Sequence, residues 1–199
     1  MTYNPAIHRR RSIRLNGYDY SQAGLYFITI CCEDRICRFG EIENNEMILN
    51  NGGKIADECW IEIPKHFPNV VLHEHIVMPN HVHGIIELTN ATDVGVENFQ
   101  PLPNNTNNTV GAENFLPLQR NDEIKRNEFQ KMIPRSVGSI VKGFKIGVTK
   151  WFCANTDIET IWQRNYHEHI IRNEQSYQTI SEYIINNPLK WNDDKFYIE

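Results

Sequence analysis

Cysteine is scarce in this sequence, and its spacing excludes the common cysteine-based scaffolds. The 199 residues contain five cysteines, an odd number, and no two of them form a Cys-x-x-Cys pair. Disulfide frameworks use an even set of cysteines, and zinc ribbons use Cys-x-x-Cys pairs. We therefore expect neither kind of scaffold, and our default expectation is a reduced, cytoplasmic setting.

Long hydrophobic runs are also absent. No stretch reaches the roughly 18 consecutive apolar residues from which a membrane span is recognised. Residues 1–14 are basic but lack the apolar stretch of a secretory signal. With 40% apolar residues, the chain suits one domain with a proper core and some appendages.

A net positive charge, which is common in nucleic-acid-binding proteins, is missing, because the formal charge is -5. The charges are nevertheless segregated along the chain. Residues 1–20 carry a net +3 and residues 132–155 carry +4, whereas residues 33–69 carry -4. The two basic segments are candidates for a local phosphate-binding surface, and the alternative for the second is an ordinary solvated helix.

Residues 90–130 lack the composition of a packed unit. The sequence Val94–Leu102 recurs sixteen residues later as Val110–Leu118, with an Asn-rich stretch between the copies. A duplication this short and this rich in Asn, Pro and Gly cannot bury a core. We predict a flexible insertion of no catalytic use at about 91–130, and the alternative is a tethered ligand-binding loop.

Hydrophobic periodicity elsewhere predicts a mixture of strands and helices. Before the insertion we predict a buried strand at 25–31, a hairpin at 37–49, a helix at 53–66 and a second hairpin over 74–86. After it we predict a helix at 136–152, a strand within 162–172 and a last helix at 174–186. Asn173 is a good N-cap for that last helix, and Pro188 ends it.

The second hairpin carries the most informative pattern, His81 and His83 directly after a turn at Pro79-Asn80. Strand side chains alternate between faces, so these two histidines share one face. Two adjacent imidazoles are suited to gripping a divalent metal, and the alternative is a pair of surface histidines. Two further His-x-His patterns, His73/His75 and His167/His169, have the same spacing, which therefore cannot choose among the three.

The last helix carries a candidate nucleophile. Tyr183 and Asn187 are four residues apart and lie one above the other on one helix face, at the edge of an apolar stripe. A phenol at that edge reaches a neighbouring site. The alternative is a half-buried aromatic with its hydroxyl in water.

These motifs together resemble one known family. Residues 79–84 (Pro-Asn-His-Val-His-Gly), 162–164 (Trp-Gln-Arg), 167–172 (His-Glu-His-Ile-Ile-Arg) and 183–188 (Tyr-Ile-Ile-Asn-Asn-Pro) are similar to the single-tyrosine HUH transposases. The resemblance runs from about residue 10 to 191, outside the insertion, and is closest to the branch associated with repetitive extragenic palindromes. Related insertion-sequence transposases usually have Gln where this chain has Asn187, and Asn is typical of the palindrome-associated branch.

The resemblance implies an α+β fold, a central antiparallel sheet with packed helices of the ferredoxin or RRM-like HUH type. It divides the chain into a basic arm at 1–20, a catalytic domain at 21–191 and a tail at 192–199. It also implies a prokaryotic, cytoplasmic and nucleoid-associated enzyme that cleaves and rejoins single-stranded DNA bearing hairpins. Its oligomeric state, monomer or homodimer, stays open.

The same resemblance implies a role for each site residue. His81, His83 and Asn187 bind Mg²⁺ or Mn²⁺, which polarises the scissile phosphate, and Tyr183 attacks it to leave a 5′-phosphotyrosine and a free 3′-OH. Rejoining then needs no nucleotide cofactor, and the sequence has no phosphate-cradling glycine loop. We assign Glu168 and His169 to supporting or DNA-proximal roles. The candidate DNA-binding residues are Arg9, Arg10, Arg11, Arg14, Lys142 and Lys145.

Three alternatives to this function remain. In a metal-dependent phosphodiesterase, water attacks and Tyr183 only packs. In a non-catalytic nucleic-acid-binding module, the same sheet binds single strands without cleavage. In a structural or regulatory metalloprotein, no nucleic acid is bound at all.

Overall fold

A computed structural model describes residues 18–90 and 133–197 of the chain. The predicted basic arm, with Arg9, Arg10, Arg11 and Arg14, and nearly all of the predicted insertion lie outside these residues. The strands are β1 (Gly24–Cys31), β2 (Gly40–Glu43), β3 (Glu46–Leu49), β4 (Val70–Met78), β5 (His81–Leu88) and β6 (His167–Ile171). The helices are α1 (Asn51–Ile61), α2 (Ile63–His66), α3 (Val137–Asn155) and α4 (Glu174–Ile185), and a 3₁₀ helix (Pro188–Asp193) follows α4.

The centre of the fold is a four-stranded antiparallel sheet with the strand order β4-β5-β1-β6. Strands β2 and β3 form a separate hairpin. Helices pack on both faces of the central sheet, so the predicted α+β class and the antiparallel sheet are confirmed. None of the helices among the described residues is long and apolar enough to cross a membrane.

One face of the sheet carries the main hydrophobic core. The side chains of Tyr26, Ile28 and Val82 point to this face and pack with the apolar stripe of α3 and with Trp60 of α1. Ser136 begins α3 as its N-cap by accepting a hydrogen bond from the Ser139 amide. Because α3 belongs to this core, its basic residues lie across the sheet from the face that carries His81 and His83.

The predicted helix at 53–66 is instead two helices, α1 and α2. Pro64 stands in the first turn of α2 and has no amide hydrogen, so it cannot donate to the carbonyl four residues earlier. Because apolar residues recur at helical spacing across 55–63, the sequence pattern predicted one continuous helix. The Asn50 side chain caps the start of α1 by accepting from the Gly53 amide.

Gly84, which follows the two histidines, lets the sheet approach α1 closely. A Cβ atom at this position would overlap Cζ2 of Trp60 and lie 2.8 and 2.9 Å from two further atoms of the indole. Real Cβ atoms do not approach other heavy atoms so closely, and Trp60 is fully buried. The motif therefore needs glycine for packing against α1 rather than for backbone freedom.

We expect Gly84→Ala to lower the free energy of unfolding by about 3 kcal/mol because the core cannot absorb the added methyl group. For a chain of this size, that corresponds to a fall in Tm of roughly 10 °C in a thermal melt. Gly143→Ala on α3 is the control, because its Cβ would meet only the Phe67 ring edge at 3.2 Å. Equal Tm values for the two variants would contradict this packing role.

The other face of the sheet holds a smaller apolar cluster under α4, formed by Ile85, Ile171 and Ile184. The Asn173 side chain begins α4 by accepting from the Ser176 amide at 2.8 Å, as the sequence predicts. This cluster holds α4 on the face to which His81 and His83 point. We call this face the site face.

Candidate active site

The turn between β4 and β5 brings the two histidines into the centre of the sheet. His81 pairs with Cys31 of β1, and His83 pairs with Thr29. Both rings are fully buried, and their centroids are 4.4 Å apart. The alternative of a pair of surface histidines is therefore wrong.

A hydrogen-bond chain sets the tautomer of His81. The Asn80 amide nitrogen donates to the backbone carbonyls of Arg35 and Phe196, so its Oδ1 must accept from His81 Nδ1, 2.9 Å away. The His81 Nε2 atom consequently carries a lone pair. It is buried and, within the described residues, makes no hydrogen bond.

His83 is held in the same way from β1. Its Nδ1 lies 2.8 Å from Thr29 Oγ1, and its Nε2 lies 3.2 Å from the Tyr183 hydroxyl. Burial lowers the pKa of His81 to about 4 against the opposing Asp194 carboxylate, and burial and the neighbouring His81 lower the pKa of His83 well below its ordinary value. Both rings are thus neutral near pH 7, the form in which imidazole binds metals.

Tyr183 reaches this pair from the last full turn of α4. Its hydroxyl is also 3.3 Å from Asp194 Oδ2, to which it donates. The ring packs edge-on against Phe27, with centroids 6.2 Å apart. Burial and the Asp194 carboxylate raise the pKa of Tyr183 to about 12, so the phenol needs a proton acceptor before it can attack a phosphate.

Asn187 lies one turn beyond Tyr183, where the 3₁₀ helix begins. It is buried, and its Nδ2 donates to Asp194 Oδ2 at 3.2 Å. Its Oδ1 is buried without a hydrogen bond from the described residues, and its side chain adjoins His81. Two buried acceptor atoms side by side, His81 Nε2 and Asn187 Oδ1, lack the positive charge or donor that would satisfy both.

Asp194 completes the group and was missed by the sequence analysis, which ended the catalytic domain at residue 191. Ligand atoms of His81, His83 and Asp194 lie within 4.8 Å of one another. The 3₁₀ helix turns the chain back so that the Phe196 ring packs against His81, with ring centroids 4.6 Å apart. The Phe196 amide donates to Asp194 Oδ1 at 2.7 Å, which leaves Oδ2 facing the site.

The donor set of this cluster fits a divalent metal. Two neutral imidazole nitrogens, an amide oxygen and a carboxylate oxygen suit Mn²⁺ and, through the oxygens, Mg²⁺. The buried, unsatisfied acceptors of His81 and Asn187 give an independent reason, since a cation would satisfy both. The residues present therefore fit the metal that the sequence analysis expects.

A β-bulge in β4 anchors the helix that carries Tyr183. The register shifts between Leu72 and His75. Glu74 therefore points to the site face, where its carboxylate accepts from the hydroxyls of Tyr177 and Ser181 on α4. His73 also contacts the Tyr177 hydroxyl, at 3.2 Å. These bonds fix the helix against the sheet on the same chain that supplies His81 and His83.

The bulge and the burial of the side chains distinguish the three His-x-His patterns. His73 bonds to Glu87 on the site face, whereas His75 bonds to Asp57 of α1 on the core face. The expectation that both rings of this pair share a strand face is wrong, because the extra residue reverses the alternation. His167 and His169 do share the site face, but both are exposed on the edge strand.

Other predicted site residues lie away from the cluster. Glu168 pairs with Ile28 and so belongs to the core face, not to the site. His169 lies on the site face opposite Phe27. Lys142 is exposed on α3, and Lys145 donates to the Gln163 and Asn165 carbonyls at 2.7 and 2.9 Å. Among the described cations, Lys195 is closer to the site, with its ammonium 4.7 Å from the Phe196 ring centroid.

Comparisons with known proteins place the chain in a family and support its fold. No protein-family model matches the chain. An uncharacterized protein of Haemophilus influenzae is 46% identical over 197 residues, which cover 99% of this chain and 98% of that protein. A solved structure of a REP-associated tyrosine transposase bound to a REP hairpin is similar with a TM-score of 0.52 and 18% identity, covering 92% of this chain and 76% of the other.

Proposed function

We propose that this chain, which belongs to one family with the Haemophilus influenzae protein and has the fold of a tyrosine transposase, is a metal-dependent transposase or endonuclease of single-stranded DNA. The observation that carries the proposal is the position of the Tyr183 hydroxyl. It lies within 3.3 Å of both His83 Nε2 and Asp194 Oδ2, inside the only cluster of metal-binding groups found among the described residues. A tyrosine whose only role is packing does not need its hydroxyl next to a histidine and a carboxylate.

The proposed metal ligands are His81, His83, Asn187 and Asp194. A divalent metal bound there would neutralise charge on the non-bridging oxygens of the scissile phosphate. Asn80 and Thr29 contact the Nδ1 atoms of the two imidazoles, which leaves both Nε2 atoms directed toward the cluster. Such second hydrogen bonds orient histidine ligands and tune their basicity.

The chemical step is a transfer of the phosphoryl group to Tyr183. Its hydroxyl gives its proton to Asp194 Oδ2 as the phenolic oxygen attacks phosphorus. The bond from phosphorus to the 3′-oxygen breaks, and that oxygen takes a proton to become a free 3′-OH. The product is a 5′-phosphotyrosine ester, which a 3′-OH attacks in the reverse direction to rejoin DNA without a nucleotide cofactor.

We infer that the tyrosine acts in cis. Tyr183 and His83 belong to the same chain, and the bonds from Glu74 hold α4 on its own sheet. These contacts within one chain support a reaction in which one monomer supplies both the nucleophile and the metal ligands.

The proposed DNA partner is a single strand that bears a hairpin. The structural neighbour was solved with a REP hairpin, which supports this class of substrate. On the protein side, Lys195 beside the cluster offers a cation for a backbone phosphate. The predicted contacts from Arg9, Arg10, Arg11, Arg14 and Lys142 stay predictions.

The direct test is incubation with hairpin-tipped single-stranded DNA and Mn²⁺, followed by a denaturing gel. We expect a DNA–protein adduct and a shortened strand ending in a 3′-OH. Binding of the hairpin without cleavage in either Mn²⁺ or Mg²⁺ would favour the non-catalytic binding module. A lack of any affinity for single strands would favour the structural metalloprotein.

Asp194→Ala is expected to slow adduct formation by roughly 10- to 100-fold, because it removes one ligand and the proton acceptor of Tyr183. Asp193→Ala is the matched control, because Asp193 is the neighbouring exposed aspartate and its carboxylate lies outside the cluster. The measurement is the single-turnover rate of adduct formation at saturating Mn²⁺. Equal rates for the two variants would exclude Asp194 from the site.

A further inference from the structure

Half of the site face is not covered by a helix among the described residues. Helix α4 packs mainly on β4 and β5 and reaches β6 at Ile171, which leaves the part of β1 and β6 around Phe27 and His169 beside it. On this open half, Phe27 and His169 stand directly opposite each other in the β1–β6 register. They form the floor of a groove whose wall is the first two turns of α4, with Asn173, Gln175, Ser176 and Thr179.

This groove is continuous with the cluster at His83. The Phe27 ring, which lines the groove, has its centroid 5.3 Å from that of His83 and 6.2 Å from that of Tyr183. A base seated on Phe27 would therefore lie beside the rings of His83 and Tyr183.

The lining of the groove has the chemistry of a base-binding site. Its floor offers two aromatic rings for stacking, and its wall offers, beside the apolar Ile180, amides and hydroxyls for the polar edge of a base. The Asn173 Oδ1 is used to cap α4, which leaves the amide nitrogen of Asn173 as a donor. No carboxylate lines the groove, and the exposed Arg172 precedes Asn173, so a phosphate backbone is not repelled.

We propose that this groove binds one unpaired base of the DNA strand, adjacent to the phosphate that Tyr183 attacks. The inference rests on the proposed function and adds to it the position at which the protein binds the DNA strand beside the cleaved bond. The base stacks on Phe27 and His169. Stacking is tolerant of base identity, so the groove contributes affinity and alignment more than sequence choice.

The test uses His169→Ala and a DNA hairpin with a short oligothymidine flank, measured by fluorescence anisotropy without metal so that no cleavage occurs. We expect the variant to bind about tenfold more weakly than the unchanged protein, the size of one lost aromatic–base stack. His169→Phe, which keeps a stacking ring, is expected to restore affinity to within about twofold. His66→Ala, on the exposed helix α2 across the sheet, is the matched control and should bind like the unchanged protein.

A scan of single abasic nucleotides along the flank locates the base. At one position next to the cleaved phosphate, removal of the base should weaken binding to the unchanged protein about tenfold. Removal of the same base should weaken binding to His169→Ala by less than about twofold, because that variant already lacks the stacking contact. Equal losses with both proteins at every position would overturn the proposal. Thr179→Tyr, which fills the groove from the helix side, gives a second variant and should also weaken binding.

The outcomes separate this proposal from the proposed function. If the unchanged protein forms the Tyr183 adduct but His169→Ala and Thr179→Tyr bind DNA normally, the groove is not a base site and the function stands. If the unchanged protein binds no single-stranded DNA, both fail. If the variants instead change the mass measured by light scattering, the open face is a contact between copies of the chain, and the base site is overturned.

Discussion

Tyr183→Phe is expected to abolish the covalent DNA–protein adduct and to slow strand cleavage by roughly 10⁴-fold or more, the usual scale for loss of an enzymatic nucleophile. The substitution removes one oxygen and keeps the ring against Phe27. Folding and affinity for hairpin DNA should therefore change little. The readouts are a denaturing gel for the adduct, a thermal melt, and anisotropy for DNA binding.

The result distinguishes two mechanisms. Tyr197→Phe is the control, because it deletes the hydroxyl of another partly exposed tyrosine that packs on Trp191 rather than on the histidines. Cleavage that survives in Tyr183→Phe without an adduct would mean that water attacks the phosphate. The protein would then be a metal-dependent phosphodiesterase in which Tyr183 only packs.

His83→Ala is expected to have the second large effect, a loss of Mn²⁺ affinity of at least about 100-fold together with the loss of cleavage. His83 has the central position in the cluster, between Thr29, His81 and Tyr183. Its replacement removes a ligand and leaves a buried gap in the sheet. Calorimetric titration of the protein with Mn²⁺ measures the affinity directly and needs no DNA.

His75→Ala is the matched control for this variant. His75 lies on the same hairpin but bonds to Asp57 on the core face, so its loss should spare the metal site. Removal of metal from the unchanged protein with a chelator should stop cleavage, and added Mn²⁺ should restore it. Unaltered Mn²⁺ binding by His83→Ala would place the metal elsewhere or exclude it.

The sequence predicted the parts of the site that depend on local periodicity. The alternation of β5 correctly placed His81 and His83 on one face, because an uninterrupted strand obeys period 2. The prediction that Tyr183 and Asn187 lie one helical turn apart is confirmed for a similar reason, because local helical geometry sets this spacing. Although α4 ends at Ile185, Asn187 keeps helical dihedral angles and so stays one turn from Tyr183.

The misses arose where tertiary contacts decide the geometry. The β-bulge at His73 and Glu74 changes the facing of two residues, and no composition signal marks it. Asp194 comes from a segment that the resemblance does not cover, and it reaches the histidines only because the 3₁₀ helix turns the chain back. Glu168 lies on the core face because side chains alternate along β6 and its neighbours His167 and His169 point to the site face.

The strand order determines at what stage of folding the site can form. β1 lies in the middle of the sheet and pairs with β5 and β6, so the earliest strand must wait for partners from much later in the chain. The hydrogen bond from Tyr183 to His83 spans 100 residues of sequence. Contacts over such separations slow folding, because a long loop must close before the contact can stabilise it. A chain that is only partly folded thus has His83 and Tyr183 apart, and the cluster is complete only when the sheet and α4 are both in place.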